Sequence, residues 1–142
     1  MEINIKKCTK DNWDFILSLR NNFYKNSFYI QDKPLTKTEH YEYMEKQSKN
    51  PNFHQWITVM DEKIVGYVRI LDNAINIMVS KEHHDLGIGS IMLKLLEIEA
   101  KKLGITKLIS LVRIDNNASK KLFEKNDYEL KLIWFEKELS EQ

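Results

Sequence analysis

Two glycines separated by one residue carry the clearest chemical signal in the sequence. Gly87 and Gly89 follow an apolar run, residues 75–79, and precede a stretch with helical spacing. The first amides of a helix lack an intrahelical acceptor, and the aligned peptide dipoles add partial positive charge there. Glycine also lets a bound group approach the backbone closely. The pattern therefore predicts an anion site, suited to phosphates, at the start of this helix.

Two dinucleotide-binding patterns are excluded at this loop. Met92 occupies the third glycine position of Gly-x-Gly-x-x-Gly, and the sequence has no Gly-x-x-x-x-Gly-Lys-Ser/Thr run. A lone Gly-x-Gly is also compatible with a tight loop that binds nothing. The surrounding elements must decide between these interpretations.

Hydrophobic spacing predicts the elements that position the loop. Asp11 is the expected N-cap of the first helix, and Gly104 is expected just after the third. The order β-α-α-β-β-β-α-β-α-β predicts an α/β (α+β) fold with a mixed central sheet. The predicted strands are 3–8, 55–60, 64–71, 74–80, 107–114 and 128–139, and the predicted helices are 11–19, 38–48, 87–103 and 117–125.

Composition narrows the class of protein. With 142 residues the chain has the size of one domain, predicted over residues 1–142. It carries 22 basic and 21 acidic residues, which argues against a protein that coats nucleic acid. No apolar run approaches the ~20 residues needed to span a bilayer, and no secretion-signal pattern opens the chain, so a cytoplasmic protein is expected. The single cysteine, Cys8, is too few for a disulfide or a metal site.

Two motifs together resemble the GNAT family of N-acetyltransferases. The family loop, Arg/Gln-x-x-Gly-x-Gly/Ala, is similar to residues 84–89, His-Asp-Leu-Gly-Ile-Gly. A second motif reads Asn-Asn-Ala-Ser at 116–119, Leu-Phe-Glu-Lys at 122–125 and Asp-Tyr at 127–128. The resemblance implies a sheet of six to seven strands, about four flanking helices, and acetyl-CoA as cofactor.

The resemblance also implies roles for individual residues. Strand residues 77–79 are expected to offer backbone groups to the pantetheine arm, and the loop from His84 to Ser90 to hold the pyrophosphate through its amides. Asn116 is expected to bond the cofactor, with Ser119 and Phe123 lining its exit side. The expected cofactor-binding residues are Ile77, Met78, Val79, His84, Asp85, Leu86, Gly87, Ile88, Gly89, Ser90, Asn116, Ser119 and Phe123.

Three residues depart from the family pattern. His84 replaces Arg or Gln, so either its side chain makes a weaker phosphate contact or only its backbone contributes. Asp85 brings negative charge beside the expected phosphates. Phe123 stands where many relatives carry the tyrosine that protonates the leaving thiolate, and phenylalanine has no proton to donate.

The sequence does not identify which residue acts as the general base. The position where some relatives carry a basic glutamate falls near Asp72 and Asn73, and the asparagine cannot act as a base. Asp72, His40 and His54 are the candidate catalytic residues. Each is also compatible with an ordinary turn, surface or packing role.

The acceptor side is predicted from the N-terminal third. Arg20-Asn21 and Thr36-x-x-Glu39-His40 resemble the subgroup that acetylates nucleotide-linked amino sugars. The candidate substrate-binding residues are Arg20, Asn21, His40 and Arg69. Two alternatives are a family member acting on a small free amine, an antibiotic or a protein amino group, and a non-catalytic acyl-CoA-binding module. The chain is expected to be a monomer or a homodimer, with no nucleic-acid or membrane partner.

Overall fold

The computed structural model describes residues 2–27, 33–84 and 86–140. Short 3-10 turns at Lys10–Asn12 and Lys81–His83 precede the first helix and the glycine loop. The strands are β1 (Ile3–Lys7), β2 (Phe53–Met60), β3 (Lys63–Leu71) and β4 (Ala74–Val79), and the helices are α1 (Trp13–Ser27), α2 (Lys37–Gln47), α3 (Ile88–Lys102) and α4 (Asn117–Lys125).

The strands form one antiparallel sheet in the order β1-β2-β3-β4. Two-residue turns join the strands of this sheet, Asp61-Glu62 between β2 and β3 and Asp72-Asn73 between β3 and β4. All four residues have positive φ. Two successive positive φ values are typical of the hairpin turns whose twist matches that of the strands, and Asp and Asn adopt them readily. β1 forms one edge of the sheet and carries the exposed Lys6 and Lys7.

The prediction of six to seven strands was wrong, because the described residues form four. In place of the strand expected over 107–114, one parallel bridge joins Ala74 to Ile109. The Ile75 amide donates to the Ile109 carbonyl at 2.8 Å, and the Ile109 amide to the Asn73 carbonyl at 2.9 Å. The strand expected over 128–139 is absent, and residues 129–140 are exposed. A strand exists only where a neighbour continues the hydrogen-bond ladder, so β-forming side chains alone do not produce one.

The first helix starts later and runs further than predicted. It begins at Trp13, after a turn in which the Asn12 side chain accepts from the Thr9 amide at 2.9 Å. It continues to Ser27 because Phe23 and Tyr24 extend the apolar stripe of Ile16. The helix predicted to end at residue 19 therefore continues as far as Ser27.

The sheet separates two apolar clusters. On one face α3 packs Met92, Leu93 and Leu96 against strand residues such as Val68, and Phe123 of α4 joins them. On the other face, called here the α1–α2 face, the two helices α1 and α2 pack against β3 and β4. The buried residues of this cluster are Trp13, Ile16, Leu19, Met44, Tyr67 and Met78. The glycine loop, residues 84–89, connects the end of β4 to the start of α3. It therefore lies at the edge of the sheet, between the two apolar clusters. Among the described residues, no helix combines the length and apolar character that a bilayer crossing requires.

Candidate active site

The start of α3 has the geometry of an anion site. Gly87 is the N-cap residue, with φ of 74° in the left-handed region and no side-chain cap. A Cβ placed there would meet nothing within 4 Å. The first amides of α3 are therefore left without a side-chain acceptor, beside an open space that phosphate oxygens can enter.

α4 packs closely against the first turn of α3. A Cβ on Gly89 would lie 3.2 Å from the Leu122 side chain, so glycine permits this approach. The Asn126 amide donates to the Ser90 hydroxyl at 3.0 Å and to the Leu122 carbonyl at 2.8 Å. Asn126 was not predicted, because an asparagine after a helix is indistinguishable in sequence from an ordinary turn residue.

A cleft opens where β4 and residues 110–113 diverge beyond the bridge at Ile109. Ile75, Asn76 and Ile77 form one wall. Residues 110–113 form the other wall, and three predicted cofactor residues, Asn116, Ser119 and Phe123, complete the lining. The structure therefore brings Ile77 and the Asn116 motif to one cleft, whose lining does not include the glycine loop. The two motifs meet instead where Leu122 of α4 packs against Gly89.

Backbone groups of β4 line this cleft in alternation. The Ile75 amide bonds Ile109 on the cleft edge, and the Ser80 amide bonds Val65 on the β3 edge. Alternate residues of a strand send their backbone groups to the same edge, so those of Ile77 face the cleft and those of Met78 face β3. Ile77 therefore offers an amide and a carbonyl to an extended, amide-bearing arm.

His84 turns back toward the sheet. Its Nε2 lies 2.8 Å from the Val79 carbonyl, which fixes that nitrogen as the donor. Its ring stacks on Phe23 of α1, with centroids 5.3 Å apart. The side chain thus ties the loop to β4 and α1, which favours the interpretation that only the backbone of His84 contributes to phosphate binding. Asp85 lies outside the described residues.

The second motif has a structural explanation. The Asn116 side chain accepts from the Ser119 amide at 3.1 Å and caps α4. Phe123 is buried edge-to-face against Tyr128, with centroids 5.1 Å apart. Residue 123 therefore supplies no proton donor to the cleft wall.

The three candidate bases do not line the cleft. His40 is buried, and its Nε2 donates to the Trp13 carbonyl at 2.9 Å. Burial lowers the pKa of His40, which favours the neutral ring. His54 and Asp72 lie together at a second cleft beside the β3–β4 turn. That turn is separated from Val79 by the length of β4, about 3.3 Å for each residue.

The residues predicted to bind the acceptor interlock on the α1–α2 face. Asn21 clamps Leu35 through two hydrogen bonds, of 3.0 and 2.8 Å. Thr36 and Glu39 cap α2 reciprocally, at 3.0 and 3.1 Å. Together with the bond from His40 to α1, these contacts fix α2 against α1. Asn21 and His40 therefore have structural roles that explain their spacing.

Arg20 and Arg69 converge on one tyrosine. Arg69 donates to the Tyr43 hydroxyl at 2.8 Å, and its guanidinium lies 5.8 Å from that ring. The Arg20 guanidinium lies 5.2 Å from the same ring. Arg69 is also the cross-strand partner of Asn76, whose buried Oδ1 has no hydrogen-bond partner. Arg69 thus stands beside Asn76 of the β4 wall, and Arg20 shares its contact with Tyr43.

Solved structures share this fold. A domain from Methanocaldococcus jannaschii is 28% identical, with a TM-score of 0.75 over 87% of this chain and 86% of that one. Spermidine N-acetyltransferase from Vibrio cholerae, crystallised with CoA and spermine, is 16% identical, with a TM-score of 0.77 over 88% and 79%. An aminoglycoside 6'-N-acetyltransferase from Acinetobacter baumannii is 17% identical, with a TM-score of 0.71 over 98% and 100%.

The sequence pattern of the acetyltransferase (GNAT) family matches residues 13–128. The match includes both helices of the α1–α2 face, β4, the glycine loop and the Asn116 motif. It confirms the predicted enzyme class, N-acetyltransferase, and the predicted cofactor, acetyl-CoA. The chain belongs to the acetyltransferase (GNAT) family.

Proposed function

We propose that this chain transfers the acetyl group of acetyl-CoA to a primary amine that enters from the α1–α2 face. The observation that carries the proposal is the cleft between β4 and residues 110–113, together with the uncapped first turn of α3. An amide-bearing arm fits beside Ile77, and phosphates fit the amides after Gly87. The proposed cofactor residues are therefore mostly backbone groups.

The reaction at this cleft needs few side chains. The neutral amine nitrogen attacks the thioester carbonyl, a C–N bond forms, the C–S bond breaks, and the thiolate leaves while the amine proton passes to water. Cleft-facing amides such as that of Ile77 donate to the oxygen that gains charge. The walls hold the amine and the thioester together, which contributes much of the rate. Phe123 adds no acid, so the thiolate takes its proton from solvent.

The acceptor that fits best is a nucleotide-linked amino sugar. Arg20 and Arg69 place two guanidinium groups around Tyr43, and guanidinium binds phosphate through paired hydrogen bonds. A polycation such as spermine would meet repulsion there. A small free amine or an antibiotic is the second candidate, because the solved structures with this fold include spermidine and aminoglycoside acetyltransferases.

An acceptor panel tests this proposal. Thiol release from acetyl-CoA is measured with a nucleotide-linked amino sugar, the same sugar without the nucleotide, spermidine and an aminoglycoside. We expect the highest kcat/KM for the nucleotide-linked sugar, and Arg69→Gln should lower it at least tenfold while leaving the KM for acetyl-CoA unchanged. Preference for spermidine would reject the amino-sugar acceptor. Tight CoA binding without release for any acceptor would favour the non-catalytic module.

A further inference from the structure

We propose that Phe23, a residue of the α1–α2 face, positions the glycine loop for the phosphates of acetyl-CoA through its contact with His84. The two rings are stacked, with centroids 5.3 Å apart and planes inclined by 29°. Phe23 is not among the residues that line the cofactor cleft. Its role rests on the proposed phosphate site after Gly87, to which it adds a positioning residue from the face where the acceptor is proposed to enter.

Two described residues of the glycine loop contribute little packing of their own. Leu86 is 52% exposed, and a Cβ placed on Gly87 would meet nothing within 4 Å. Both follow His84, where the chain leaves the 3-10 turn with φ of −67° and ψ of 155°. A segment with little buried surface opens at a low cost in free energy. The conformation of the loop therefore depends on the contacts that hold its ends.

The His84 side chain holds the first end of the loop at two points. Its Nε2 donates to the Val79 carbonyl at 2.8 Å. The Ser80 amide of the same peptide unit donates to the Val65 carbonyl at 2.7 Å, so this unit is fixed between β3 and the His84 ring. A hydrogen bond fixes one atom of the ring only. The stack on Phe23 is what sets the orientation of the ring plane.

Phe23 is itself held by the packing of the two N-terminal helices. It packs against the apolar cluster that contains Trp13 and Ile16. The bond from His40 to the Trp13 carbonyl fixes α1 against α2 in turn. The position of the loop therefore depends on a helix that lies on the opposite face of the sheet from α3, the helix that the loop begins.

The strength of a stack sets the size of the expected effect. An aromatic pair shifts the equilibrium between an ordered and a loosened loop by about three- to tenfold. Only the ordered loop presents its amides to a phosphate. The Kd for CoA therefore rises by the factor by which the ordered fraction falls when the stack is removed.

Paired substitutions on α1 test this role by calorimetry with CoA. Phe23→Leu removes the ring and keeps apolar bulk, and Phe15→Leu makes the same change at another partly buried phenylalanine of the helix. Phe23→Leu should raise the Kd for CoA about threefold or more. Phe15→Leu should leave it unchanged, and Phe23→Tyr, which keeps a ring, should bind CoA as the wild type does. An equal Kd for Phe23→Leu and the wild type would overturn the proposal.

A second acyl donor separates positioning of the loop from a general loosening of the fold. S-acetylpantetheine has the thioester arm of acetyl-CoA but no pyrophosphate. With the best acceptor of the panel, Phe23→Leu should lower kcat/KM for acetyl-CoA about threefold or more and leave kcat/KM for S-acetylpantetheine unchanged. Equal losses with the two donors would assign Phe23 a structural role only and overturn the proposal.

A double variant tests whether Phe23 acts through His84. In a His84→Ala background, Phe23→Leu should cause no further rise in the Kd for CoA, because the ring that Phe23 orients is absent. Effects that multiply would show that the two side chains act independently, against the proposal. The phosphate site is tested separately: wild-type CoA affinity in Gly87→Ala would reject that site, whereas a weakened Gly87→Ala beside an unaffected Phe23→Leu would reject the positioning role alone.

Discussion

Single residues in this protein act mainly by giving the backbone its shape. Gly87 exposes amides, and Gly89 admits the Leu122 side chain. The side chains of His84 and Asn116 bond backbone groups of the chain itself. The proposed cofactor site is therefore expected to be more sensitive to backbone conformation than to side-chain chemistry.

Gly87 and Gly104 offer a matched pair of substitutions. Both have positive φ, 74° and 79°, and both have open space where a Cβ would lie, at opposite ends of α3. Alanine at either position costs about 1–2 kcal/mol of backbone strain. Gly87→Ala should also raise the KM for acetyl-CoA at least tenfold, because the loop relaxes and its amides turn away. An equal KM for Gly87→Ala and Gly104→Ala would contradict the proposed phosphate site.

His40 predicts a pH dependence of stability. Burial lowers its pKa in the folded chain below the ordinary value of 6.5. The unfolded chain therefore binds the proton more readily, and the stabilisation present above about pH 6.5 is lost as the pH falls below it. Urea unfolding between pH 7.5 and 5 should show this loss.

His40→Gln is the control for that measurement. Glutamine keeps a donor for the Trp13 carbonyl but does not titrate. The variant should have a flatter dependence of its unfolding free energy on pH than the wild type. Parallel curves for the two proteins would assign the acid sensitivity to other groups.

At the scale of elements, α4 owes its start to one side chain. Asn116 caps its first turn, whereas Asn117 is the first helical residue and is exposed. Asn116→Ala should lower the unfolding free energy by about 1 kcal/mol. Asn117→Ala, beside it, should change it by less than about half that amount. Chemical unfolding measures the unfolding free energy of both variants. An equal decrease for Asn116→Ala and Asn117→Ala would contradict the role of Asn116 as the helix cap.

Local signals predicted most elements well. The bounds of α4 were predicted correctly because they depend on residues that interact within a few positions of each other, as the turns at Asp61 and Asp72 do. The strands expected over 107–114 and 128–139 were wrong, because a strand forms only beside a hydrogen-bonding partner, and hydrophobic periodicity does not reveal that partner. In the site, the glycine loop was predictable from spacing, whereas Asn126 and the convergence of Arg20 with Arg69 arise only from tertiary packing.

The three tryptophans of the molecule differ in their exposure to solvent. Trp13 and Trp56 are each 5% exposed, and Trp134 in the C-terminal segment is 68% exposed. In dilute solution acrylamide should quench a component of the emission that Trp134→Phe lacks. The buried Trp13 and Trp56 should be quenched much less. Equal quenching of the wild type and of Trp134→Phe would contradict the exposure of residue 134.

The lysines on β1 protect an edge of the sheet. Lys6 and Lys7 are exposed on the strand at the opposite edge of the sheet from β4. A charged edge resists the addition of further strands. Edge-to-edge growth of the sheet into filaments through β1 should therefore be disfavoured.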